Sequence, residues 1–176
     1  MSILKVDTIN EKTSGNGVAI PGHVVAVHNA ISTVNAQAIN STSLVNITGL
    51  SITITPKNAN NLIIMDAQVP TTNTYVTSYA FLKDGATTVT SLIDNQTGIP
   101  NVQLIQYMPE VQTTEVSQLM QVSLQHFETA GDTNSRTYTV ACCSKWGSNS
   151  YNMYVNNRNS GDMPSFSTFR LMEVAQ

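Results

Sequence analysis

The chain has 176 residues, a mass of 19.0 kDa and a formal charge of −3, with two cysteines and only 11% charged residues. That length suits one domain with a short appendage, able to bury about 70% of its unfolded surface without a disulfide or metal staple. An acidic pI near 5.4 and the lack of any Lys/Arg cluster exclude electrostatic capture of nucleic acid or anionic lipid. No run approaches the roughly 18 apolar residues of a membrane span, so neither nucleic acid nor membrane insertion is expected.

Asn, Thr and Ser stand where charge would be and make up about a third of the chain. Thr suits a pleated strand and Asn and Ser suit turns, whereas the helix-favouring Lys and Glu are scarce. The composition predicts an all-β chain.

Residues 1–22 read as an N-terminal attachment arm. Ile3, Leu4, Val6 and Ile9 open it, a polar Thr/Asn/Gly run follows, and Val18 to Ile20 end at Pro21-Gly22. The segment is too short and too polar in its middle to bury a core, so it is expected to order only against a neighbouring copy or a larger particle. It has Lys5 but no apolar h-region or A-x-A-like cleavage site, so no secretory signal is expected.

Residues 23–176 read as one sandwich domain. HVVAVHNAIS suits a strand leaving the arm, and residues 32–43 read as a loop or irregular edge. Leu44–Thr48 and Leu50–Thr55 alternate apolar with polar, and Pro56 stops the second run. Leu62–Met65 is apolar on both faces, as in a central strand covered on two sides. Tyr79–Leu82 and Thr87–Ile93 form a hairpin through Asp84-Gly85. Residues 94–115, with Gly98, Pro100 and Pro109, read as a long irregular excursion.

Val116–Phe127 places Met120, Val122 and Leu124 on one face and Gln121, Ser123 and Gln125 on the other. Arg136–Lys145, Tyr151–Val155 and Phe166–Val174 complete about eight to ten strands, as in a β-sandwich or jelly roll. The last strand has Phe169 and Leu171 on one side and Met172 and Val174 on the other. Either another subunit covers it or it lies centrally in its sheet. Soluble monomers commonly guard sheet faces and edges with Lys and Glu, and several strand faces here are neutral.

Chemistry is sparse. Cys142 and Cys143 are neighbours, so on a strand they point to opposite faces and act as buried small hydrophobes rather than a disulfide. His23, His28 and His126 are scattered and suggest no shared metal site. No nucleophile elbow, zinc-protease, Walker or dinucleotide motif occurs, no carboxylate pair suggests a glycosidase, and Asp66 reads as facing outward. No enzyme activity, metal or cofactor is expected. The sequons at Asn40, Asn46 and Asn95 are expected to stay unmodified without a secretion signal.

The best binding candidate is the aromatic group Trp146, Tyr151 and Tyr154, with Asn152, Asn156, Asn157 and Arg158 as donors able to recognise sugar hydroxyls. In the competing reading, Trp146 plugs the core and the tyrosines are ordinary strand residues.

ILKVDTINEKTSGNGVAIPGHVV at the start resembles the N-terminal segment of fibre-like virion proteins of tailed bacteriophages, especially those of marine bacteria. FRLMEVAQ at the end resembles the last strand of that group, and LSITITPKNANNLIIM an internal strand pair. The resemblance implies a homotrimer of jelly rolls similar to the tumour-necrosis-factor/C1q type. It implies arms that dock to tail, portal or capsid proteins or intertwine with one another, and a place in the virion. Host-surface glycan or receptor is the further partner it implies. The group has no shared catalytic residues. The length, without a repetitive shaft, fits a compact knob, head fibre or decoration protein. The alternatives are a decoration protein without receptor binding, a monomeric jelly-roll carbohydrate-binding module and, least supported, a polysaccharide depolymerase.

Overall fold

Period-two alternation of apolar and hydroxyl or amide side chains drives this chain into strands that each hide one face. The structure is a computed structural model and describes residues 20–72, 76–85, 87–89, 104–107, 119–146, 149–150, 152–158 and 161–176. The predicted attachment residues Ile3, Leu4, Val6, Ile9 and Val18, and also Tyr151, lie outside the described residues.

The early strands are β1 (Val24–Ser32), β2 (Gln37–Ile39), β3 (Val45–Ile54), β4 (Leu62–Thr72), β5 (Val76–Lys83) and β6 (Thr87–Thr88). The later ones are β7 (Leu104–Tyr107), β8 (Leu119–Thr129), β9 (Arg136–Trp146), β10 (Asn149–Ser150), β11 (Met153–Val155) and β12 (Ser167–Val174). No helix occurs among the described residues. All pairings are antiparallel and form two sheets. The first runs β1-β12-β4-β8, and β11 and β2 extend it beyond the end of β12. The second runs β3-β9-β5-β7, with β6 hairpinned along β5 and β10 along β9.

The inner faces of both sheets share one core. Ile63, Met65, Ala67 and Val69 of β4, Val122 and Leu124 of β8, and Phe169 and Leu171 of β12 meet Ile47, Leu50, Ile52, Tyr79, Phe81, Tyr138, Val140 and Cys142. Phe81 and Phe169 touch across the gap, their ring centroids 5.5 Å apart. Two antiparallel sheets around one core are consistent with a β-sandwich. Cys142 and Cys143 are buried and not joined in a disulfide, and Cys142 belongs to this main core.

Two turns set the registers. Asp84 and Gly85 both have positive φ, 51° and 83°, the geometry of a type I′ hairpin, in which the Asp-Gly pair is favoured. In β3 the pairing with β9 shifts between Asn46 and Ser51, and Gly49 has φ 86°. The bulge switches the inward parity, so Ile47 and then Leu50, Ile52 and Ile54 all reach the core. The two separate alternating runs in the sequence are therefore one strand.

The structure corrects other expectations. Residues 104–107 form β7 within the stretch read as irregular, where a four-residue run is too short to display a period. Residues 37–39 form β2 within the expected loop, and the described residues hold twelve strands where eight to ten were expected. β12 is central, paired with β1 on one side and β4 on the other, so its two-sided apolar content matches its place in the sheet. Leu62 and Ile64 are only half-buried, so the outer side of β4 is less covered than expected.

A buried carboxylate ties the last strand to the β3–β4 turn. Glu173 is 2% exposed, and its Oε1 accepts from the Lys57 backbone N–H at 2.7 Å and from Asn61 Nδ2 at 2.6 Å. Arg136, 3% exposed, makes a similar clamp at the β8–β9 turn, donating to the Ala130 and Asp132 carbonyls and pairing with the Asp132 carboxylate. Glu173→Ala leaves two donors without their acceptor and is expected to cost about 3 kcal/mol. At about 2–4 °C per kcal/mol for a chain of this size, the melting temperature falls by roughly 6–12 °C. Glu173→Gln keeps an acceptor and loses less. An unfolding free energy unchanged in Glu173→Ala would contradict the clamp.

Candidate interaction surface

The outer face of the first sheet is built by register. Pairing places Val27, Met172, Ile64 and Phe127 in one row across β1, β12, β4 and β8. Below it, Val24, Val174 and Leu62 extend the apolar ground. Above it, Asn29, Arg170, Asp66 and Gln125 form a polar row, and Ile31, Thr168, Gln68 and Ser123 form the next. Phe127 is 66%, Ile31 61% and Val27 52% exposed, values opposite to what burial of apolar area favours.

The exposed large hydrophobics are Ile20, Val24, Val27, Ile31, Val34, Phe127, Met163 and Phe166. Among the described residues, every one lies on the first sheet's strands or the segments entering and leaving them. On the outer side of the second sheet β3 presents hydroxyls, with Ser51 bonded to Thr139 and Thr53 to Thr137, each at 2.8 Å, whereas Ala80 and Leu82 of β5 and Ala141 of β9 are buried there.

The polar row is a connected network. Arg170 donates to Asp66 Oδ2 at 3.0 Å and Gln125 Nε2 to Asp66 Oδ1 at 2.9 Å. Beside it, Gln68 Oε1 accepts from Ser123 Oγ at 2.7 Å and Gln121 Nε2 at 3.1 Å. Between Asn29, Arg170, Asp66 and Ile31, Thr168, Gln68 the face dips into a half-open depression of about 390 Å³. Asp66 thus faces outward, as its sequence context suggested.

The aromatic candidate divides between the sheets. Trp146 closes β9 in the second sheet, whereas half-buried Tyr154 lies on β11 in the first. Asn152 is exposed and accepts from Asn40 Nδ2 at 2.7 Å. Arg158 pairs with Asp162. Asn156 and Asn157 are buried and their amides are engaged inside the chain. Asn156 Nδ2 donates to the Ser32 carbonyl at 3.0 Å and Oδ1 accepts from Ser167 Oγ at 2.5 Å. Asn157 Oδ1 accepts from the backbone N–H groups of Arg158 at 2.8 Å and Met163 at 2.9 Å. These two side chains brace the loop before β12 and leave no amide group turned outward for sugar recognition.

Of the arm residues, Ile20 and Pro21 are described. The Ile20 carbonyl accepts from His23 N at 2.9 Å around Pro21, and Gly22 N donates to the Ala175 carbonyl at 2.7 Å. Ile20 itself is exposed. Sequence reading noticed two-sided apolar content at Leu62–Met65 and at Met172 and Val174, but not the row they share with Val27 and Phe127. The available signal was Phe127, which breaks the polar series Gln121, Ser123, Gln125 on its own strand face.

Titratable groups offer little chemistry. Burial pushes the Tyr79 and Tyr138 hydroxyls up, with Tyr138 also donating to Glu128 Oε1 at 2.6 Å, and burial likewise raises the Cys142 thiol. A thiol held protonated is a poor nucleophile. No group of three His, Cys, Asp or Glu side chains suited to a metal occurs among the described residues. No known protein family matches the chain, and no curated protein matches it either.

His126 is buried on the inner side of β8, and Nε2 has no partner among the described residues. Burial lowers its pKa below 6.5, against a smaller upward pull from Glu128. The folded chain therefore resists a proton that the unfolded chain accepts. Stability is expected to hold above pH 6.5 and to fall as pH drops below that value. Urea midpoints between about pH 7.5 and 5.5, a window spanning the ordinary histidine value, test this. His126→Leu should flatten the slope, and an equal slope in that variant would contradict the assignment.

Proposed function

We propose that this chain is a structural protein of a tailed-bacteriophage virion, a homotrimeric knob of jelly-roll domains. In this reading the domain spans residues 23–176, and residues 1–22 attach it to the particle. The observation that carries the reading is the confinement, among the described residues, of the exposed large hydrophobics to the first sheet and its flanking segments. Such a face covered by other copies gains roughly 25 cal/mol for each Å² of apolar surface removed from water.

Three further features support the reading. The opening and closing segments resemble fibre-like virion proteins. The strand orders β1-β12-β4-β8 and β3-β9-β5-β7 fit the Greek-key winding of a jelly roll. The chain entering β1 bonds to Ala175 near the other terminus, so an arm of residues 1–22 would leave from the margin of the first sheet. Host contact would come from the exposed side of β3 or from the loops, where three copies multiply a weak contact by avidity.

Native mass tests the assembly. The full chain is expected to run as a trimer, and Val27→Asp with Phe127→Ser, both on exposed positions, is expected to run as a folded monomer. A wild-type chain that stays monomeric at every concentration would overturn the proposal.

A further inference from the structure

We infer that the depression in the outer face of the first sheet is a binding site for a neutral pyranose sugar. Asn29, Gln68 and Thr168 are its hydrogen-bonding residues, and Ile31 is the apolar rim for the ring. The site goes beyond the assembled reading and does not rest on it. Other copies gain from covering the apolar rows toward the Val24 end, and the depression opens among the polar rows past them.

Register builds the site. Pairing sets Asn29, Arg170 and Asp66 in one row and Ile31, Thr168 and Gln68 in the next. Neighbouring strands lie about 4.8 Å apart, and same-face residues repeat about every 6.8 Å along a strand. The two rows therefore frame a patch the breadth of a sugar ring. The half-open space between them, about 390 Å³, lies in the range of small-molecule sites, where a few convergent polar groups fix the ligand.

The lining is held in advance from one side. β8 flanks β4 on the side away from β12, and three of its polar side chains serve two lining residues. Gln125 Nε2 donates to Asp66 Oδ1, while Arg170 donates to Asp66 Oδ2. Gln121 Nε2 and Ser123 Oγ both donate to Gln68 Oε1. With its oxygen turned to β8, the Gln68 amide turns Nε2 the opposite way, toward β12 and the depression. Among the described residues that nitrogen has no acceptor, and the Asn29 amide and Thr168 hydroxyl have no partner. A ligand can take these groups without breaking an existing bond, and a lining already fixed loses little freedom on binding.

Charge selects the ligand class. Arg170 and Asp66 neutralise each other in the lining, so a phosphate or a metal ion would meet one charge of its own sign. What remains are amide and hydroxyl groups, which match the donating and accepting hydroxyls of a sugar. Ile31, 61% exposed, pairs with Thr168 and gives the carbon–hydrogen face of the ring an apolar wall. Phe166, 58% exposed, stands two residues before Thr168 and extends that wall.

Nitrogen-15 NMR of the full chain, titrated separately with D-glucose, D-galactose, D-mannose and N-acetyl-D-glucosamine, tests the site. At least one sugar is expected to give saturable shifts centred on the amides of Asn29, Gln68 and Thr168. Gln68→Ala and Asn29→Ala, both at exposed positions, are each expected to weaken that binding about tenfold, the loss of roughly one hydrogen bond. Inorganic phosphate is expected to leave the same amides unmoved. No saturable shift with any of the four sugars, shifts centred elsewhere, or unchanged affinity in both variants would overturn the site. Phosphate binding there would overturn the neutral-sugar assignment. Native mass on the same samples keeps the readings apart, since a monomeric wild type removes the assembly and leaves the titration to decide the site.

Discussion

The structure depends on β4, whose opening residues Leu62–Met65 are apolar on both sides. Its inward row, Ile63, Met65, Ala67 and Val69, is buried and carries the core between the sheets. Its outward row, Leu62, Ile64, Asp66 and Gln68, is the middle of the face on which the functional account rests. β4 pairs along its length with β8, and its other margin takes β12 and then β11. One strand thus fixes both the core and the register of the outer rows.

Polar groups inside the fold are assigned to holding turns. Glu173 gathers the β3–β4 turn, Arg136 the β8–β9 turn, and Asn156 and Asn157 the loop entering β12. Each satisfies backbone groups that a low-charge chain has few other ways to cover, and an unsatisfied buried group is costly. The same economy leaves little for catalysis. His126 is buried with no partner for Nε2 among the described residues, and burial raises the pKa of the thiol in the main core.

Much of the fold was legible because period two survives in single strands. Leu50, Ile52 and Ile54, and Val122 and Leu124, point inward as their alternation predicts. The Asp84-Gly85 hairpin was legible because its backbone demands positive φ. β7 and β2 were not, since three or four residues carry no period. The interaction face was the least legible. Val27, Ile64, Phe127 and Met172 are far apart in sequence, and only antiparallel pairing brings them into one row. Asn156 and Asn157 misled for the opposite reason, because an Asn-rich loop reads as a donor surface until its bonds to Ser32, Ser167 and Met163 are seen.

The central claim is that the outer face of the first sheet is covered by other copies in solution, and thiol labelling reads this directly. Both native cysteines are 0% exposed, so a single introduced cysteine reports its own accessibility. Val27→Cys on the first sheet and Thr53→Cys on the second, labelled with a maleimide across a dilution series, compare the two faces. The account predicts slow labelling at position 27 in concentrated protein, rising on dilution, and fast labelling at position 53 throughout. Fast labelling at position 27 at every concentration would contradict it.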